Sequence, residues 1–332
     1  MIASAVLLLA SAGVIYLACE VFVNGIEWVG RRLALAETAT GTILAACGTA
    51  LPESVVTLVA TAFGRNEGER QIGIGAALGG PLALSTIAYA VVGLALLRHA
   101  PRLARGPLCC VQVNRPRLCR DQGWFLAIFA AKIALGLFVF ALKPWMGAPF
   151  LAAYALYFWR EMKGGAAEEP GPLEPLKLRP RDGEPRLAWA LLQTLGALAV
   201  IVLASRIFVG RLETLSAALG LEPRLAALLL SPVATELPEA MNALIWVRQG
   251  KERLALANIS GAMMIQATVP TAFGLFFTPW LLDRGLLLSA GVTAAAILFL
   301  LHAFRRGEVR GARLSQVGWL YLAFVGALLW LR

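Results

Sequence analysis

Three glutamates lie in apolar stretches of the chain, and two of them directly follow a proline. Glu53 follows Pro52, and Glu239 follows Pro238. The third, Glu236, lies three residues before Glu239 and would share a helix face with it. A charged side chain at the centre of a bilayer costs about 2.5–3.5 kcal/mol on insertion scales. If these stretches span a membrane, the three carboxylates indicate a function rather than packing.

Each proline also frees a carbonyl oxygen about one turn before its glutamate. Proline has no N–H, so Pro52 cannot donate to the carbonyl of Gly48. In the same way, Pro238 cannot donate to the carbonyl of Ala234. Both carbonyls are therefore candidate ligands.

A threonine stands four residues before each Pro-Glu glutamate. Thr49 would share a helix face with Glu53. Thr235 would share one with Glu239. Hard cations bind carboxylate, hydroxyl and carbonyl oxygens, so the two segments predict a cation site. As alternatives, the glutamates could be protonated or hydrogen-bonded structural groups, and the threonines could bond back to their own helices.

The composition indicates that membrane helices carry these segments. Of the 332 residues, 59% are hydrophobic and only 15% are charged. Soluble domains have about 45–50% apolar and about 25% charged residues. The apolar residues also come in long runs, which is typical of bilayer spans.

Ten apolar runs are long enough, at roughly 20 residues each, to cross a bilayer. The predicted spans are 2–26, 38–63, 72–98, 122–142, 145–159, 187–210, 222–247, 253–279, 285–304 and 314–331. The sequence therefore predicts an all-α membrane protein with ten transmembrane helices.

Lysine and arginine fall mainly on one side of this arrangement. One set of loops carries 21 of them and the other carries 7. The positive-inside rule places the basic loops in the cytoplasm and both termini outside. The net charge of +10 is then explained by topology, so a lipid bilayer is expected as a partner and nucleic acid is not. The compact, Arg- and Ala-rich chain is typical of a bacterial inner membrane, and the oligomeric state is left open.

One long polar stretch divides the chain. It covers 161–186 and contains five prolines, so it predicts a flexible cytoplasmic linker. The expected domains are a first five-helix half over 1–160, this linker, and a second five-helix half over 187–332.

The two halves resemble each other. Leu17–Val23 aligns with Leu203–Val209, and Thr49–Glu53 aligns with Thr235–Glu239. Both alignments have the same offset of 186 residues (203 − 17 and 235 − 49). Because five spans is an odd number, the second half must enter the membrane inverted. Inverted repeats with a midplane site between them are typical of secondary transporters.

The segments 41–53 and 234–239 resemble the two α-repeats of the calcium/cation antiporter superfamily, the sodium/calcium exchangers. The paired Thr-x-x-Pro-Glu pattern carries the resemblance, and the ten-span inverted layout agrees with it. The resemblance implies that Glu53 and Glu239 are the central cation (metal) ligands. It implies that Thr49 and Thr235 contribute oxygens beside them, and that the long first and sixth spans form the moving gate.

The chain departs from this family's pattern at several positions. The family has Ser at the positions of Ala50 and Glu236. It has Gly-Ser-Asn where this chain reads Gly-Gly-Pro at 79–81 and Gly-Ala-Met at 261–263. The family's polar ligand one turn further on falls on Leu84 and Gln266. Gln266 and Asn258 are candidate replacement ligands, with plain packing as the alternative.

The additional carboxylate of Glu236 favours proton coupling. Neighbouring carboxylates in a low dielectric cannot all be ionised, so at least one is expected to hold a proton. The expected function is secondary antiport of Ca²⁺ for H⁺ or Na⁺, with the cations as substrates and no cofactor. The alternative is a degenerate, non-transporting member acting as a sensor or structural protein. An enzyme is not expected, since His99 and His302 lie far from the glutamates.

Other charged groups lie in or near the spans. Lys132 is mid-span, where a structural contact, snorkelling or replacement of a bound cation are alternatives. Glu20 and Arg206 occupy equivalent repeat positions and could either pair or snorkel separately. Cys109, Cys110 and Cys119 share a basic loop, but their spacing fits no common zinc pattern, so reduced thiols are expected.

Overall fold

The computed structural model describes residues 2–33, 51–99, 110–112, 115–164, 173–248, 250, 252–306 and 308–330. This part of the chain is almost entirely helical. The first-half helices are α1 Ile2–Arg32, α2 Leu51–Phe63, α3 Glu67–Ala83, α4 Tyr89–His99, α5 Arg115–Leu137 and α6 Gly147–Gly164. The second-half helices are α7 Leu187–Ala218, α8 Pro223–Thr235, α9 Leu237–Arg248, α10 Glu252–Phe277, α11 Arg284–Phe304 and α12 Gly311–Trp330.

Within the described ranges, five helical segments are long and apolar enough to cross a membrane. They are Ile2–Arg32, Glu67–Arg98, Leu187–Ala218, Ala255–Phe277 and Arg284–Phe304. Each corresponds to one of the predicted spans. The protein is therefore a multi-pass membrane protein, while the count of ten spans and their inversion stay predictions.

The two longest helices, α1 and α7, lie against each other along much of their length. Their shared core includes Ile15, Phe22, Ile201 and Phe208. Gly25 permits the close approach, because a Cβ there would collide with the backbone and side chain of Thr194. The first helices of the two halves thus form one pair beside the rest of the bundle.

Helix α3 packs closely against α8 because glycines face that helix. A Cβ on Gly79 would lie 2.7 Å from the carbonyl oxygen of Leu228 and 2.7 Å from Cγ of Pro232. A Cβ on Gly75 would collide with the carbonyl oxygen of Arg224. Small residues permit such close backbone approach in membrane helices. The contact joins the two halves and supports the end of α8 at Thr235.

The remaining helices pack in a reciprocal pattern between the halves. The α3–α4 segment contacts α11 and α12 of the second half, and α10 contacts α5 and α6 of the first half. Each half therefore supplies a central helix that packs on the last two helices of the other. Two structurally related halves would produce such a pattern.

The predicted span 222–247 is not one continuous helix. Helix α8 ends at Thr235 and α9 begins at Leu237, with Glu236 between them at φ −99° and ψ −7°. Pro232 lies inside α8, and Pro238 opens α9. The prolines remove two backbone donors near the junction, so the continuous-span prediction was wrong here. The break places the Glu236 backbone at a helix terminus.

The predicted span 72–98 also contains an irregular turn. Its residues Leu84–Ala88 form a π-helix between α3 and α4. Pro81 lies inside α3 just before it. Ser85 and Thr86 both bond back to the carbonyl of Leu82, at 3.1 and 2.5 Å. Short π-helical turns within α-helices are frequent at functional sites.

The second part of the predicted linker lies on α1 and α7. The indole of Trp28 and the amide of Asn24 donate to the carbonyl of Glu174, at 2.9 and 3.3 Å. Glu184 forms ion pairs with Arg31 and Arg32 at 3.2 and 3.1 Å. Residues 165–172 lie outside the described part of the chain. The linker and the two domain boundaries stay predictions, although residues 173–186 are well anchored.

Two short strands join loops from the two halves. Strand β1, Cys110–Gln112, pairs antiparallel with β2, Glu308–Arg310. The sequence analysis did not predict this sheet. Cys109 lies outside the described residues, and Cys119 on α5 is free.

Glu20 and Arg206 do not pair in the described structure. Glu20 forms an ion pair with Lys177 at 3.5 Å. The guanidinium of Arg206 lies over the ring of Phe63, 5.6 Å from its centre. The two charges therefore have separate partners, and of the two alternatives, pairing across the halves is not the one observed.

Candidate functional site

A hydrogen bond between the two halves forms the centre of the site. The Thr235 hydroxyl at the end of α8 donates to Oε2 of Glu53 on α2, with 2.5 Å between the oxygens. Glu53 is 1% exposed and Thr235 is 4% exposed, so water does not screen the contact. An O–H···O distance in this range is typical of a charged acceptor. The two Pro-Glu segments, 182 residues apart at this contact, thus meet at one buried point.

Glu236 is the second carboxylate of this cluster. The side-chain amide of Gln266 on α10 donates to Oε1 of Glu236 at 2.6 Å. The same Oε1 lies 3.3 Å from the Thr235 hydroxyl oxygen. Gln266 itself lies against α3, since a Cβ on Gly80 would be 2.7 Å from its Oε1. The break between α8 and α9 thus turns Glu236 toward α10 and α3.

Glu239 is the third carboxylate, and it is completely buried on the first turn of α9. Neither of its carboxylate oxygens accepts a hydrogen bond from another described residue. Its charge interacts with those of Glu236 and Glu53, which places all three acids in one electrostatic cluster. Cys19 on α1 also interacts electrostatically with Glu239, so the α1–α7 pair lies beside this end of the site.

Two further hydroxyls border the cluster, and the sequence analysis did not select them. Ser231 lies one turn before Thr235, and Thr57 lies one turn after Glu53. Both are fully buried, and neither hydroxyl oxygen has a hydrogen-bond partner among the described residues. The four-residue spacing that selected Thr49 and Thr235 would have found them, had it been extended one turn along each helix.

Several buried oxygens in this region have no described partner. They are Oε1 of Glu53, Oε2 of Glu236, both carboxylate oxygens of Glu239, Oε1 of Gln266 and the hydroxyls of Ser231 and Thr57. Buried polar atoms are normally hydrogen-bonded, so such a group needs an explanation. All are oxygen atoms, which are the donors that hard cations prefer.

The three carboxylates alone do not form a chelating group. Within the described ranges there is no set of three or more His, Cys, Asp or Glu residues that could hold a metal ion. A cation here would therefore take hydroxyl, amide and backbone oxygens in addition to carboxylates. Those are the ligand types of Thr235, Gln266 and the freed carbonyls.

The structure brings together four predicted site residues in direct contact: Glu53, Thr235, Glu236 and Gln266. Glu239 joins them by proximity of charge. Thr49 and Gly48 lie outside the described residues. Ala234 lies in the last turn of α8. The amide nitrogen of Asn258 has no partner among the described residues, and no described contact joins it to the cluster.

Lys132 on α5 is also buried, with none of its surface exposed. Its ammonium donates to the carbonyl of Ala77 on α3 at 2.9 Å. The ammonium interacts electrostatically with Glu53. The side chain is enclosed in the bundle and does not snorkel to its surface. A structural contact and replacement of a bound cation stay the two alternatives.

The sequence pattern of one protein family covers most of this chain. That family is described as sodium/calcium exchanger protein, and it matches residues 3–162 and 189–330. The chain belongs to this family. The match includes all three glutamates of the cluster and leaves out the linker.

A curated relative supports membership of the exchanger family. CaxA of Alkalimonas amylolytica, named as a candidate antiporter, is 24% identical over 311 residues. The alignment covers 92% of this chain and 91% of the relative. The family and this relative consist of transporters, so the chain is not an enzyme.

Two solved exchangers share the fold. The crystal structure of the H⁺/Ca²⁺ exchanger CAX matches with a TM-score of 0.75 at 20% identity, covering 98% of this chain and 82% of that one. The sodium-calcium exchanger NCX_Mj, soaked with Na⁺ and Sr²⁺, matches with a TM-score of 0.59 at 19% identity, covering 98% of each chain. In both names the cations are the exchanged ions and therefore substrates rather than cofactors.

Proposed function

We propose that this exchanger-family protein is a secondary active antiporter that exchanges Ca²⁺ for H⁺ or Na⁺ by alternating access. The observation that carries the proposal is the 2.5 Å hydrogen bond between Thr235 and Glu53. It joins the Pro-Glu segments of both halves in one buried group of oxygens. A site at the junction of two repeats is the usual arrangement in secondary transporters.

The donor atoms favour a hard divalent cation as the substrate. Carboxylates of Glu53 and Glu239 would bind it centrally, with oxygens from Thr235, Gln266 and Thr49 completing the shell. The carbonyls of Gly48 and Ala234 are further candidate ligands. Ca²⁺ takes six to eight oxygens in flexible geometry, which suits a mixed set better than the strict octahedron of Mg²⁺.

Proton coupling follows from the number of acids in the cluster. Glu236 faces Glu53 and Glu239 as like charges, and Lys132 interacts with Glu53 as an opposite charge. Three carboxylates without water cannot all be ionised unless cations balance them. Protons would therefore replace Ca²⁺ when it leaves, which favours H⁺ over Na⁺ as the coupling ion.

Hydrogen-bond accounting supports a proton on Glu236. The Thr235 hydroxyl has one hydrogen, and its shortest contact directs that hydrogen to Glu53 at 2.5 Å. The hydroxyl also lies 3.1 Å from the carbonyl of Ser231 and 3.3 Å from Oε1 of Glu236, and one hydrogen cannot serve three acceptors. A proton on Glu236 would make its contact with the hydroxyl oxygen favourable. Gln266 can still donate to the same oxygen, because a protonated carboxyl oxygen keeps acceptor capacity.

The paired helices α1 and α7 would form the moving gate in this proposal. They lie together at one side of the bundle, and much of their surface faces outward, as in Leu9, Leu17, Leu195 and Leu203. If that face contacts lipid, α1 and α7 could slide against the bilayer without exposing the apolar core of the bundle to water. We further propose two inverted five-helix halves in a bacterial inner membrane, with both termini outside and the basic loops in the cytoplasm.

A second candidate function is a non-transporting family member. Leu84 is fully buried at the position where the exchangers carry a polar ligand. A site with too few ligands would bind cations weakly and could serve as a sensor or a structural element. Absence of uptake under both H⁺ and Na⁺ gradients would favour this candidate.

The coupling ion can be tested through the pH dependence of transport with Glu236→Gln. Protons compete with Ca²⁺ for the carboxylates, so wild-type Ca²⁺ uptake should fall as pH falls on the side from which Ca²⁺ binds. Glutamine cannot titrate, so the pH dependence should become shallower in the variant, which retains a neutral side chain beside Gln266. Initial rates of ⁴⁵Ca²⁺ uptake into proteoliposomes across a pH series give the measurement.

Glu222→Gln is the matched control, since Glu222 is an exposed acid at the start of α8 that pairs with Arg224. Its pH profile should equal that of the wild type. A Glu236→Gln profile that also equals the wild-type profile would contradict proton coupling through Glu236.

A further inference from the structure

Lys132 presents an unusual ammonium group inside the bundle. It is fully buried, and among the described residues its one hydrogen-bond acceptor is the carbonyl of Ala77 at 2.9 Å. An ammonium has three N–H donors. A single neutral carbonyl accepts from only one of them, so most of the hydrogen bonds that the ammonium would make to water are not replaced. Burying a charge with so little compensation is unfavourable unless opposite charges lie nearby.

Aromatic rings hold the ammonium in place. Its nitrogen lies 5.3 Å from the ring centre of Phe129 and 5.9 Å from that of Trp280. The indole N–H of Trp280 donates to the carbonyl of Lys132 at 3.1 Å. Trp280 adopts a φ of 48°, which a bulky residue rarely does, so the surrounding structure enforces this ring position. The rings restrict the lysine to one direction, toward α3.

The ammonium points toward the Pro-Glu cluster. Its partner Ala77 lies one turn before Gly80, the α3 residue that faces Gln266. Gln266 in turn donates to Glu236. The attractive interaction with Glu53 reaches the cluster from the same side. Lys132 is thus a buried positive charge that interacts with Glu53 and belongs to the electrostatics of the site.

We propose that Lys132 is a resident cation of the Pro-Glu cluster: its tethered ammonium takes the place of one monovalent ion and sets the charge that transported cations must supply. This inference rests on the proposed antiport function. The acids Glu53, Glu236 and Glu239 carry three negative charges when ionised, and Lys132 balances one of them. The remaining two match one Ca²⁺ or two protons, so the exchange of one Ca²⁺ for two H⁺ would move no net charge.

The proposed role of Lys132 can be tested by removing its ammonium and supplying a small cation from solution in its place. Lys132→Ala removes the ammonium and leaves space for a small cation. The full-length variant, purified in detergent, should melt at a lower temperature than the wild type. Methylammonium or Na⁺ should raise its melting temperature by a few degrees, because a ligand that binds only the folded state stabilises it. Choline at equal ionic strength should have no effect, and the wild type, which keeps its own ammonium, should respond to neither methylammonium nor choline.

Lys143→Ala is the matched control. Lys143 is also buried, and its ammonium donates to the carbonyls of Phe138 and Trp280 at 2.7 and 3.0 Å. Its loss should lower the melting temperature without creating a response to methylammonium, because no acid in the described part of the chain interacts with its charge. Equal responses of the two alanine variants, or no response of Lys132→Ala, would overturn the proposal.

If Lys132→Ala does not fold, a double substitution tests whether Lys132 balances the charge of Glu53. Lys132→Met should be less stable than Lys132→Met combined with Glu53→Gln, since the second change removes the acid left without its partner. A double variant no more stable than the single one would overturn the proposal.

Transport measurements distinguish a failure of this inference about Lys132 from a failure of the proposed antiport function. In proteoliposomes with an outward H⁺ gradient, wild-type Ca²⁺ uptake should not change when K⁺ and valinomycin set different membrane potentials. Uptake that varies with potential would overturn the charge count. If the wild type takes up no Ca²⁺, antiport fails, and the melting experiment still decides whether Lys132 holds the place of a cation.

Discussion

The hydroxyl of Thr235 lies between two carboxylates, Glu53 at 2.5 Å and Glu236 at 3.3 Å. It also lies 3.1 Å from the carbonyl of Ser231 in its own helix. Bonding back to the helix was the alternative for this threonine, and its single hydroxyl hydrogen can serve only one of these contacts at a time. The shorter contact is the one between the halves. A cation entering the cluster would meet the oxygen of this hydroxyl together with both carboxylates.

Thr235→Val should weaken cation binding because valine keeps the shape and removes the oxygen. The lost contact involves a charged group, which is worth about 1.5–3 kcal/mol. The apparent KM for Ca²⁺ uptake should therefore rise by roughly 10- to 150-fold. Thr235→Ser should restore binding, since it returns the hydroxyl. A valine variant with the wild-type KM would exclude Thr235 as a ligand.

At the scale of elements, the site depends on a helix break and on one close helix contact. Helix α8 ends at Thr235 and α9 begins at Leu237, which gives Thr235 and Glu236 different directions. Hydrogen bonds continue on both sides of the junction, from the N–H of Glu236 to Pro232 and from that of Ala240 to Glu236. The break therefore costs little backbone bonding and still reorients the acids.

Gly79→Val should disturb the site through the α3–α8 contact. A Cβ at Gly79 would lie 2.7 Å from a backbone oxygen of α8, so the helices must move apart. Overpacking of this kind typically costs about 1–3 kcal/mol. The melting temperature and the rate of Ca²⁺ uptake should both fall. Gly196→Val is the control, since a Cβ there meets nothing within 4 Å; equal losses in both variants would contradict the role of this contact.

The sequence predicted the acids better than the helices that carry them. Spacing alone selected Glu53, Glu236, Glu239 and Thr235, because intramembrane carboxylates and prolines are conspicuous in apolar runs. Hydropathy did not reveal the break at Glu236, since it averages over about 19 residues and a one-residue junction leaves it unchanged. The contact of Gln266 with Glu236 depends on how α10 packs, which one sequence does not contain.

At the scale of the whole molecule, the halves complete each other's packing and share one site. α10 packs on helices of the first half, and the α3–α4 segment packs on helices of the second. Residues 173–186 bind α1 and α7 at the end that carries Arg31 and Arg32. The positive-inside rule assigns that end to the cytoplasm, so anchoring of this segment would be an intracellular feature.

The orientation can be tested with single cysteines in a background without the native ones. Glu67→Cys lies exposed at the first residue of α3 and should react with an impermeant maleimide added outside right-side-out vesicles. Asp182→Cys, exposed in the linker segment, should react only after the membrane is permeabilised. Labelling in the reverse pattern would contradict the proposed orientation, with both termini outside.

The most direct test of the account is Ca²⁺ uptake by the purified protein in proteoliposomes, with an outward H⁺ or an outward Na⁺ gradient imposed in turn. We expect ⁴⁵Ca²⁺ uptake under the H⁺ gradient, and this uptake should be abolished in both Glu53→Gln and Glu239→Gln although the variants remain folded. Uptake that persists in either variant, or no uptake under either gradient, would contradict cation exchange at the Pro-Glu cluster.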